Sequence, residues 1–251
     1  SYGKGDIREP FVEVRYADGS NTSDFLFEDA SITSGKPEFE TLPGSYDADD
    51  NVEHLTITLK DRDRQIFLEL HYYVYEDCDV ICRSSKIINK EKDHIHLNRL
   101  MSTQIDFPYG EFALTSFHGG WIKEMNKTTT PIGRGKFVVS SYTGSSSSRS
   151  NPFTILHSRE ATEDAGDVYG LNLIYSSNHY TCCEQNTFFK TRIVSGINPQ
   201  SFCFVLEEGQ SFESPEAVMT YSDKGFGKMS KNLHKFVREH IVRGKWKKKV
   251  V

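Results

Sequence analysis

The sequence predicts a mostly β protein: a large antiparallel β-sandwich (β-supersandwich) followed by one amphipathic helix at the C-terminal end. Three observations lead to this prediction. Apolar and polar residues alternate with a period of two in many short runs, turn residues separate these runs, and one late segment has a helical apolar period instead. The chain of 251 residues contains 17 Phe and 12 Tyr, which is enough apolar surface for a packed core.

The clearest strands form a predicted hairpin. Leu and Ile side chains mark one face of residues 51–60 and one face of residues 66–75, and turn residues at 61–64 separate the two runs. This pattern is typical of a half-buried antiparallel sheet. Further runs with the same alternation are 11–16, 80–89, 137–142, 153–157, 168–175, 187–194, 201–207 and 216–221.

The segment after residue 225 has a different period. Its apolar stripe recurs every three or four residues, as expected for an amphipathic helix, and consists of Phe226, Met229, Leu233, Phe236, Val237, His240 and Ile241. Gly244 is placed to end this helix. We therefore predict two parts: a β-supersandwich over residues 1–222 and a basic linker helix over residues 223–251.

The charge distribution bears on possible partners. Residues 224–251 contain ten Lys and Arg against one acidic residue, whereas the preceding 223 residues contain 20 basic and 34 acidic side chains. A basic tail can bind nucleic acid or a membrane surface, but basic residues opposite an apolar stripe more often form a solvated helix face. The acidic body argues against nucleic acid as a partner.

Targeting signals and cysteines suggest the compartment. The sequence shows neither an apolar stretch that could span a bilayer nor a signal-peptide pattern. The five cysteines are an odd number without repeated spacing, which favours reduced thiols and a cytoplasmic setting. Ser1 is not a start methionine, and the chain stops where a new element begins, so we expect a segment of a longer protein.

Common catalytic signatures are missing from the sequence, including the P-loop, HExxH, GxSxG and paired CxxC motifs. Cys182 and Cys183 would point to opposite faces of a strand, which makes joint metal ligation awkward. His94 and His96 could share a strand face, but no third ligand accompanies them. A structural or surface role is the simpler interpretation of both pairs.

The segment around Trp121 is the most unusual in the chain. Gly119 and Gly120 precede this Trp, one of two in the sequence, and two glycines allow a close turn that projects a large indole. Indole faces stack on the apolar faces of sugar rings. Alternatively, Trp121 is a buried core residue next to a β-bulge. Taken alone, these residues favour the core interpretation.

Six segments in a fixed order carry a family resemblance: 2–10 (YGKGDIREP), 117–121 (FHGGW), 151–153 (NPF), 166–176 (GDVYGLNLIYS), 196–199 (GINP), and 214–218 (SPEAV) with Tyr221 and Ser222. Together they resemble the N-terminal domain of glycoside hydrolase family 36, the bacterial-type α-galactosidases. Each is short, but their joint order is specific and covers nearly the whole chain.

The resemblance implies a β-supersandwich, a helix leading to a (β/α)₈ barrel, and a small C-terminal β domain. The family's two catalytic aspartates lie on the barrel and act by a retaining double displacement, so this segment is expected to be non-catalytic. The implied role of Trp121 is to close the galactose pocket from the N-terminal domain. Lys123 departs from the family pattern, in which Arg is common, so contacts near the pocket stay open.

The resemblance also implies partners. These are a terminal α-galactoside substrate of the melibiose or raffinose type, the protein's own catalytic barrel, and neighbouring subunits of a homo-oligomer, in this family often a tetramer. No metal, organic cofactor, nucleic acid or membrane is implied. Specificity for α-N-acetylgalactosaminides would be decided in the barrel and stays open.

Two other functions compete with this one. An autonomous carbohydrate-binding β-sandwich would hold a sugar on its own aromatic platform, without an attached enzyme. A nucleic-acid-binding protein would depend on the basic residues after Lys224 and would lose affinity with salt. A fully buried Trp121 would contradict the predicted sugar-contacting role.

Overall fold

The structure is a computed structural model that describes residues 5–47, 51–146 and 149–248. Residues 1–4 and 249–251, which include the start of the first family-like segment and the end of the basic tail, lie outside the described residues. Within the described ranges, two antiparallel sheets pack face to face and one α-helix follows the last strand. The predicted fold class is therefore confirmed.

Sixteen strands are present in the described ranges. In chain order they are β1 (Val12–Arg15), β2 (Phe25–Ser34), β3 (Glu53–Asp61), β4 (Ile66–Tyr75), β5 (Val80–Asn89), β6 (Ile95–Phe107), β7 (Phe112–His118), β8 (Asn126–Pro131), β9 (Gly135–Ser140), β10 (Ser150–Ser158), β11 (Val168–Ile174), β12 (His179–Gln185), β13 (Thr191–Ile197), β14 (Phe204–Leu206), β15 (Ser211–Glu213) and β16 (Glu216–Ser222). Helix α1 (Gly225–Phe236) follows.

The larger sheet contains ten strands in the order β2-β3-β4-β5-β16-β11-β10-β7-β8, with β15 paired to β5 beside this path. The smaller sheet has the order β1-β6-β13-β12, and β14 also pairs with β6. Strand β9 lies alongside β12. The hairpin β7–β8 thus forms one edge of the larger sheet, and β2 forms the other.

The predicted hairpin is strands β3 and β4. They pair in the register that places Leu59 opposite Leu68 and Ile57 opposite Leu70. The side chain of Asp61 accepts a hydrogen bond from the backbone N–H of Asp63 at 3.1 Å, which stabilises the turn. Local alternation was sufficient to predict this unit.

One predicted strand is wrong in part. Residues 187–190 form the turn between β12 and β13, and only the end of the predicted run 187–194 belongs to β13. All seven residues of β12 are buried, and so are six of the seven residues of β13. A strand that is covered on both faces does not alternate, so its sequence carries no period of two.

The core lies between the two sheets. In one half, Val14 and Leu97 of the smaller sheet pack against Ile66, Leu68 and Ile87 of the larger sheet. In the other half, Ile193 and Cys183 pack with Leu114, Leu156 and Leu171. Cys182 belongs to a different cluster on the opposite face of β12, as predicted from its adjacency to Cys183.

Helix α1 covers the outer face of the larger sheet through buried Met229 and Phe236. A π-helical turn (Val237–Ile241) continues it, and a 3₁₀ turn then begins at Gly244, whose φ is +60°. Val237 was predicted on the apolar stripe but is exposed, because the wider π turn changes the helical period. No helix in the described part of the chain is both long and apolar enough to cross a membrane.

Candidate functional site

Trp121 lies at the tip of the β7–β8 hairpin and is 89% exposed. The core interpretation of this residue is therefore wrong. Its neighbours in the turn, Ile122 and Met125, are also exposed, so the tip presents apolar side chains to solvent. An exposed indole at a hairpin tip contributes little to the core, and this placement fits a contact residue better than a structural one.

The turn that carries Trp121 is fixed by backbone hydrogen bonds. Gly120 and Lys123 exchange two of them, at 2.9 and 3.2 Å, with Trp121 and Ile122 at the two central positions. Ile122 has φ +65°, in the left-handed region that a β-branched residue adopts only under strain. The Glu124 carboxylate accepts the Ile122 N–H at 3.0 Å and helps to hold this conformation.

The two glycines before Trp121 differ in their steric role. A Cβ at Gly119 would overlap the Lys123 carbonyl oxygen and the Glu124 backbone, whereas a Cβ at Gly120 would meet open space. The close approach that the sequence suggested is therefore made by Gly119 alone.

We expect Gly119→Ala to destabilise the protein by about 1–3 kcal/mol, because the new methyl group has to displace backbone on the opposite side of the turn. Gly120→Ala is the matched control and should stay within about 0.5 kcal/mol of the wild type. Urea unfolding followed by circular dichroism measures both. Equal effects of the two substitutions would contradict this account of the turn.

The base of the hairpin is connected to α1. Phe117 of β7 stacks on Phe153 at 5.5 Å between ring centroids, and both join the cluster that holds Met229 and Phe226 of the helix. Lys127 of β8 places its ammonium group 4.8 Å from the centre of the Phe226 ring. The Trp121 hairpin and α1 therefore share the outer face of the larger sheet.

A second feature is a cleft of about 750 Å³ over β3, β4, β5 and β15, closed on one side by the segment 37–42. Its floor carries a cross-strand row in which Glu69 of β4 faces Lys86 of β5, which in turn faces Glu213 of β15. Its aromatic lining consists of Phe39, Tyr73, Tyr175, Phe202, Phe204 and Phe212. Opposite charges in cross-strand positions attract one another and hold the row together.

Two histidines sit beside this row. His54 Nε2 lies 3.0 Å from His71 Nδ1, and His71 Nε2 lies 3.4 Å from a carboxylate oxygen of Glu69. Burial, assisted by the charges of His71 and Lys36, lowers the pKa of His54 to about 4. The hydrogen bond from His71 lowers the pKa of Glu69, whereas burial raises the pKa of Glu213.

His54 should make stability depend on pH. Its pKa falls from the ordinary 6.5 to about 4 on folding, so the unfolded chain binds more protons between these values. The stabilisation is complete above pH 6.5 and is lost as pH falls from about 6.5 to about 4. We expect His54→Gln to flatten the fall in unfolding free energy between pH 7 and 4.5.

The control for this prediction is His234→Gln, since His234 is exposed on α1. Urea unfolding at both pH values compares the two variants with the wild type. An unchanged pH slope in His54→Gln would contradict the assignment to this residue.

The N-terminal segment builds an ionic cluster on the outer face of the smaller sheet. Glu9 accepts hydrogen bonds from Arg99 and from the Tyr180 hydroxyl, and Arg192 pairs with Asp6 at 3.1 Å. Burial would raise the pKa of Glu9, but the Tyr180 hydrogen bond and the charge of Arg99 outweigh it, so this pKa is lowered. Residues 6–10, the described part of the family-like segment 2–10, therefore attach to the smaller sheet through charged side chains.

Sequence reasoning singled out Trp121, which is exposed and whose sugar contact stays a prediction, and it missed the cleft and the ionic cluster. His54 and Glu213 are far apart in the chain, as are Glu9 and Tyr180, and no local spacing signals such contacts. His94 and His96 do approach each other, at 5.1 Å between ring centroids. Cys203 Sγ lies 3.6 Å from His96 Nδ1, a neighbour that the sequence did not indicate.

Comparison with known families assigns almost the entire chain. The family model described as the Glycosyl hydrolase family 36 N-terminal domain matches residues 1–207. The model described as Melibiase matches residues 211–251.

Individual relatives agree with this assignment. Alpha-galactosidase AgaA of Geobacillus stearothermophilus is 35% identical over 245 residues, which is 97% of this chain and 34% of the relative. The bifunctional alpha-galactosidase/sucrose kinase AgaSK of Mediterraneibacter gnavus is 33% identical over 246 residues, 98% of this chain and 26% of its own length. The chain thus spans about a third or less of the curated relatives it matches.

Solved structures show the same similarity in three dimensions. The crystal structure of AgaA superposes with a TM-score of 0.96 at 34% identity, over 98% of this chain and 34% of that one. The alpha-galactosidase from Lactobacillus brevis superposes with a TM-score of 0.94 at 33% identity, over 96% of this chain and 33% of that one.

Proposed function

We propose, because this chain belongs to glycosyl hydrolase family 36, that it is the non-catalytic N-terminal domain of an α-galactosidase. In this proposal the whole enzyme hydrolyses terminal α-galactosides by a retaining mechanism, and the catalytic aspartates lie on a barrel outside this chain. The relatives named alpha-galactosidase support the activity. Variants of AgaA were crystallised with stachyose and with raffinose, which supports the substrate class.

The role proposed for this segment is to carry the barrel and to lend Trp121 to the galactose pocket. The observation that supports it is the position of the indole: exposed at a hairpin tip whose base packs with α1. Galactose has an apolar face formed by its axial C–H groups, and an aromatic ring can stack on that face while polar groups elsewhere bind the hydroxyls. With 89% of its surface exposed, Trp121 offers only one wall of such a pocket.

We also propose a division of the chain into a β-supersandwich over residues 1–222 and a linker helix over residues 223–251. Strand β16 ends at Ser222 and still pairs with β11 and β5, and α1 begins at Gly225. The last strand of the sheet and the first turn of the helix thus adjoin at this boundary.

Calorimetric titration of galactose and melibiose tests the proposed function. The titration uses this chain and a full-length enzyme whose nucleophile is disabled. Binding to the full-length form alone, weakened there by Trp121→Ala, is the expected result. Comparable binding by this chain by itself would overturn the scaffold role and indicate an autonomous sugar-binding module.

The cleft over β3 to β5 is the observation that favours this second candidate. It combines aromatic rings with carboxylates, imidazoles and an ammonium group, the mixture of side chains that sugar sites use. If the isolated chain binds sugar, His71→Ala should weaken that binding and Trp121→Ala should leave it unchanged. The same titration therefore separates the two candidates.

Assembly and location are further parts of the proposal. We propose a homo-oligomer, of four subunits in the full-length enzyme, and the exposed edge strand β2 supports it with Phe27 68% and Ile32 72% exposed. Apolar side chains on an open sheet edge favour pairing with another chain. A cytoplasmic location is supported by the five cysteines, all of which are free thiols.

A further inference from the structure

Three potential metal ligands meet where the end of the helix touches the β4–β5 turn. Cys78 Sγ lies 3.1 Å from Asp77 Oδ2, and His240 Nε2 lies 3.3 and 3.4 Å from the two carboxylate oxygens of Asp77. One ligand atom from each of the three residues falls within 4.8 Å of the others. Thiolate, imidazole and carboxylate are the groups that zinc prefers in proteins.

Each ligand is positioned by a distinct backbone feature. Asp77 and Cys78 lie in a 3₁₀ turn (Glu76–Cys78) that ends at Asp79, whose φ of +54° redirects the chain into β5. His240 lies in the π-helical turn after α1, and π-helical turns often occur at functional sites. The turn between β4 and β5 and the end of the helix are thus brought together by tertiary packing.

An independent contact orients the imidazole. His240 Nδ1 lies 3.1 Å from the backbone carbonyl oxygen of Tyr46, which can only accept a hydrogen bond, so Nδ1 carries the proton and donates it. Nε2 is the ring nitrogen that faces the Asp77 carboxylate, and it is the one available to a metal ion. The Tyr46 N–H in turn donates to the His240 carbonyl oxygen at 2.9 Å. A backbone carbonyl that holds the second ring nitrogen is the usual support of a metal-bound histidine.

The distances suit a tetrahedral ion. With zinc–nitrogen and zinc–oxygen bonds of about 2.0 Å and a zinc–sulfur bond of about 2.3 Å, neighbouring ligand atoms lie about 3.3–3.6 Å apart. The Asp77–His240 distances of 3.3 and 3.4 Å match this range, and the Asp77–Cys78 distance of 3.1 Å is slightly short of it. Cys78 Sγ and the ligand nitrogen of His240 lie within 4.8 Å of each other, and side-chain rotation has to bring them to the tetrahedral spacing.

We propose that Asp77, Cys78 and His240 bind a zinc-class divalent ion, with solvent as the fourth ligand. Asp77 and His240 line a cavity of about 570 Å³ that gives the ion access and leaves room for water. Binding forms the sulfur–metal bond and releases the Cys78 thiol proton to solvent. The bound ion would tie the end of the linker helix to the β-sandwich.

Lys235 competes for the same carboxylate. Its ammonium group lies 3.4 Å from Asp77 Oδ2 and also donates to the Asp77 carbonyl oxygen. Its positive charge opposes a divalent ion, so Lys235→Met should increase metal affinity several-fold. Lys231→Met is the matched control, since Lys231 is exposed on the same helix, and should change affinity little.

Titration of the 251-residue chain with Co²⁺ tests the site directly. A tetrahedral cobalt site with a thiolate ligand gives intense visible bands together with a near-ultraviolet sulfur-to-metal band. We expect both, with a stoichiometry of one and displacement by Zn²⁺. Cys78→Ser should remove the near-ultraviolet band, and Cys203→Ser, which changes the exposed thiol near His96, should retain it.

His240→Gln provides a second test that leaves the buried thiol in place. It should weaken Zn²⁺ binding by tenfold or more, and circular dichroism establishes that each variant is folded. Weak, octahedral-type cobalt spectra in the wild type would overturn the proposal. The same conclusion would follow if the sulfur band survived in Cys78→Ser, disappeared in Cys203→Ser, or if His240→Gln bound Zn²⁺ as tightly as the wild type.

Discussion

Replacing Lys36 by methionine is expected to lower the free energy of unfolding by about 3–5 kcal/mol. Lys36 Nζ lies 2.9 Å from Glu216 Oε2, and neither side chain is accessible to solvent. Removing the ammonium group leaves the carboxylate buried without its counter-charge, which is the costly way to break a buried ion pair.

The surroundings of Lys36 increase the expected effect. Its ammonium group donates to the Ser45 carbonyl oxygen at 3.0 Å and lies 4.6 and 4.8 Å from the ring centres of Phe39 and Tyr73. Ser45 also donates to Glu216 through its N–H and its hydroxyl. The pair thus anchors the segment around residues 36–45 to strands β4 and β16.

Urea unfolding of three variants separates the ion pair from general packing. The double variant Lys36→Met/Glu216→Gln should recover a large part of the unfolding free energy that Lys36→Met loses, because it also removes the uncompensated carboxylate charge. Lys228→Met breaks the exposed pair of Lys228 with Asp79, at 2.6 Å, and should cost at most about 1 kcal/mol. A loss in Lys36→Met no larger than that in Lys228→Met would show that the buried pair does not anchor this segment.

Replacing Trp121 by alanine in the full-length enzyme is expected to lower kcat/KM for melibiose about 10- to 100-fold, equivalent to about 1.4–2.8 kcal/mol. The proposed stacking of the indole on the galactose ring is lost, and the pocket opens to water on that side. Because Trp121 is 89% exposed in this chain, the same substitution should leave the unfolding free energy of the isolated chain within about 0.5 kcal/mol.

Steady-state kinetics with two further variants sharpens this prediction. Phe188→Ala changes an aromatic side chain that is 78% exposed in the β12–β13 turn, and it should leave kcat/KM unaltered. Trp121→Phe should retain part of the activity, since a smaller ring still stacks. A change confined to KM would assign Trp121 to binding of the ground state and transition state alike. Wild-type kcat/KM in Trp121→Ala would refute the sugar-contacting role.

The hairpin β3–β4 and helix α1 illustrate what local pattern predicts well. In the hairpin, Leu and Ile side chains recur at every second residue, and α1 carries a stripe that includes buried Met229 and Phe236, so the apolar residues recur with the period of the backbone itself. Their positions and types could therefore be obtained from the chain alone. The strands β12 and β13 lie in a sheet that is covered on both faces, where Thr181, Glu184 and Arg192 are buried polar residues, and the pattern is lost.

The Trp121 segment shows how far sequence reasoning reaches at a site. The glycines predicted a close turn, and the family resemblance implied that Trp121 contacts sugar, which stays a prediction. The choice between a core and an exposed indole, however, required the structure, because a Gly-Gly-Trp sequence is compatible with both. The turn at Gly120 and Lys123 decides it by directing the side chain outwards.

The sequence by itself determined the fold class, the terminal helix, the family and the candidate Trp, since each depends on periodicity or on the order of short segments. Only the tertiary structure decided which distant groups meet. Lys36 and Glu216 are 180 positions apart, and His240 follows Asp77 by 163. Such contacts depend on the pairing of strands β4, β5 and β16 and on the docking of α1, and no local spacing in a chain encodes them.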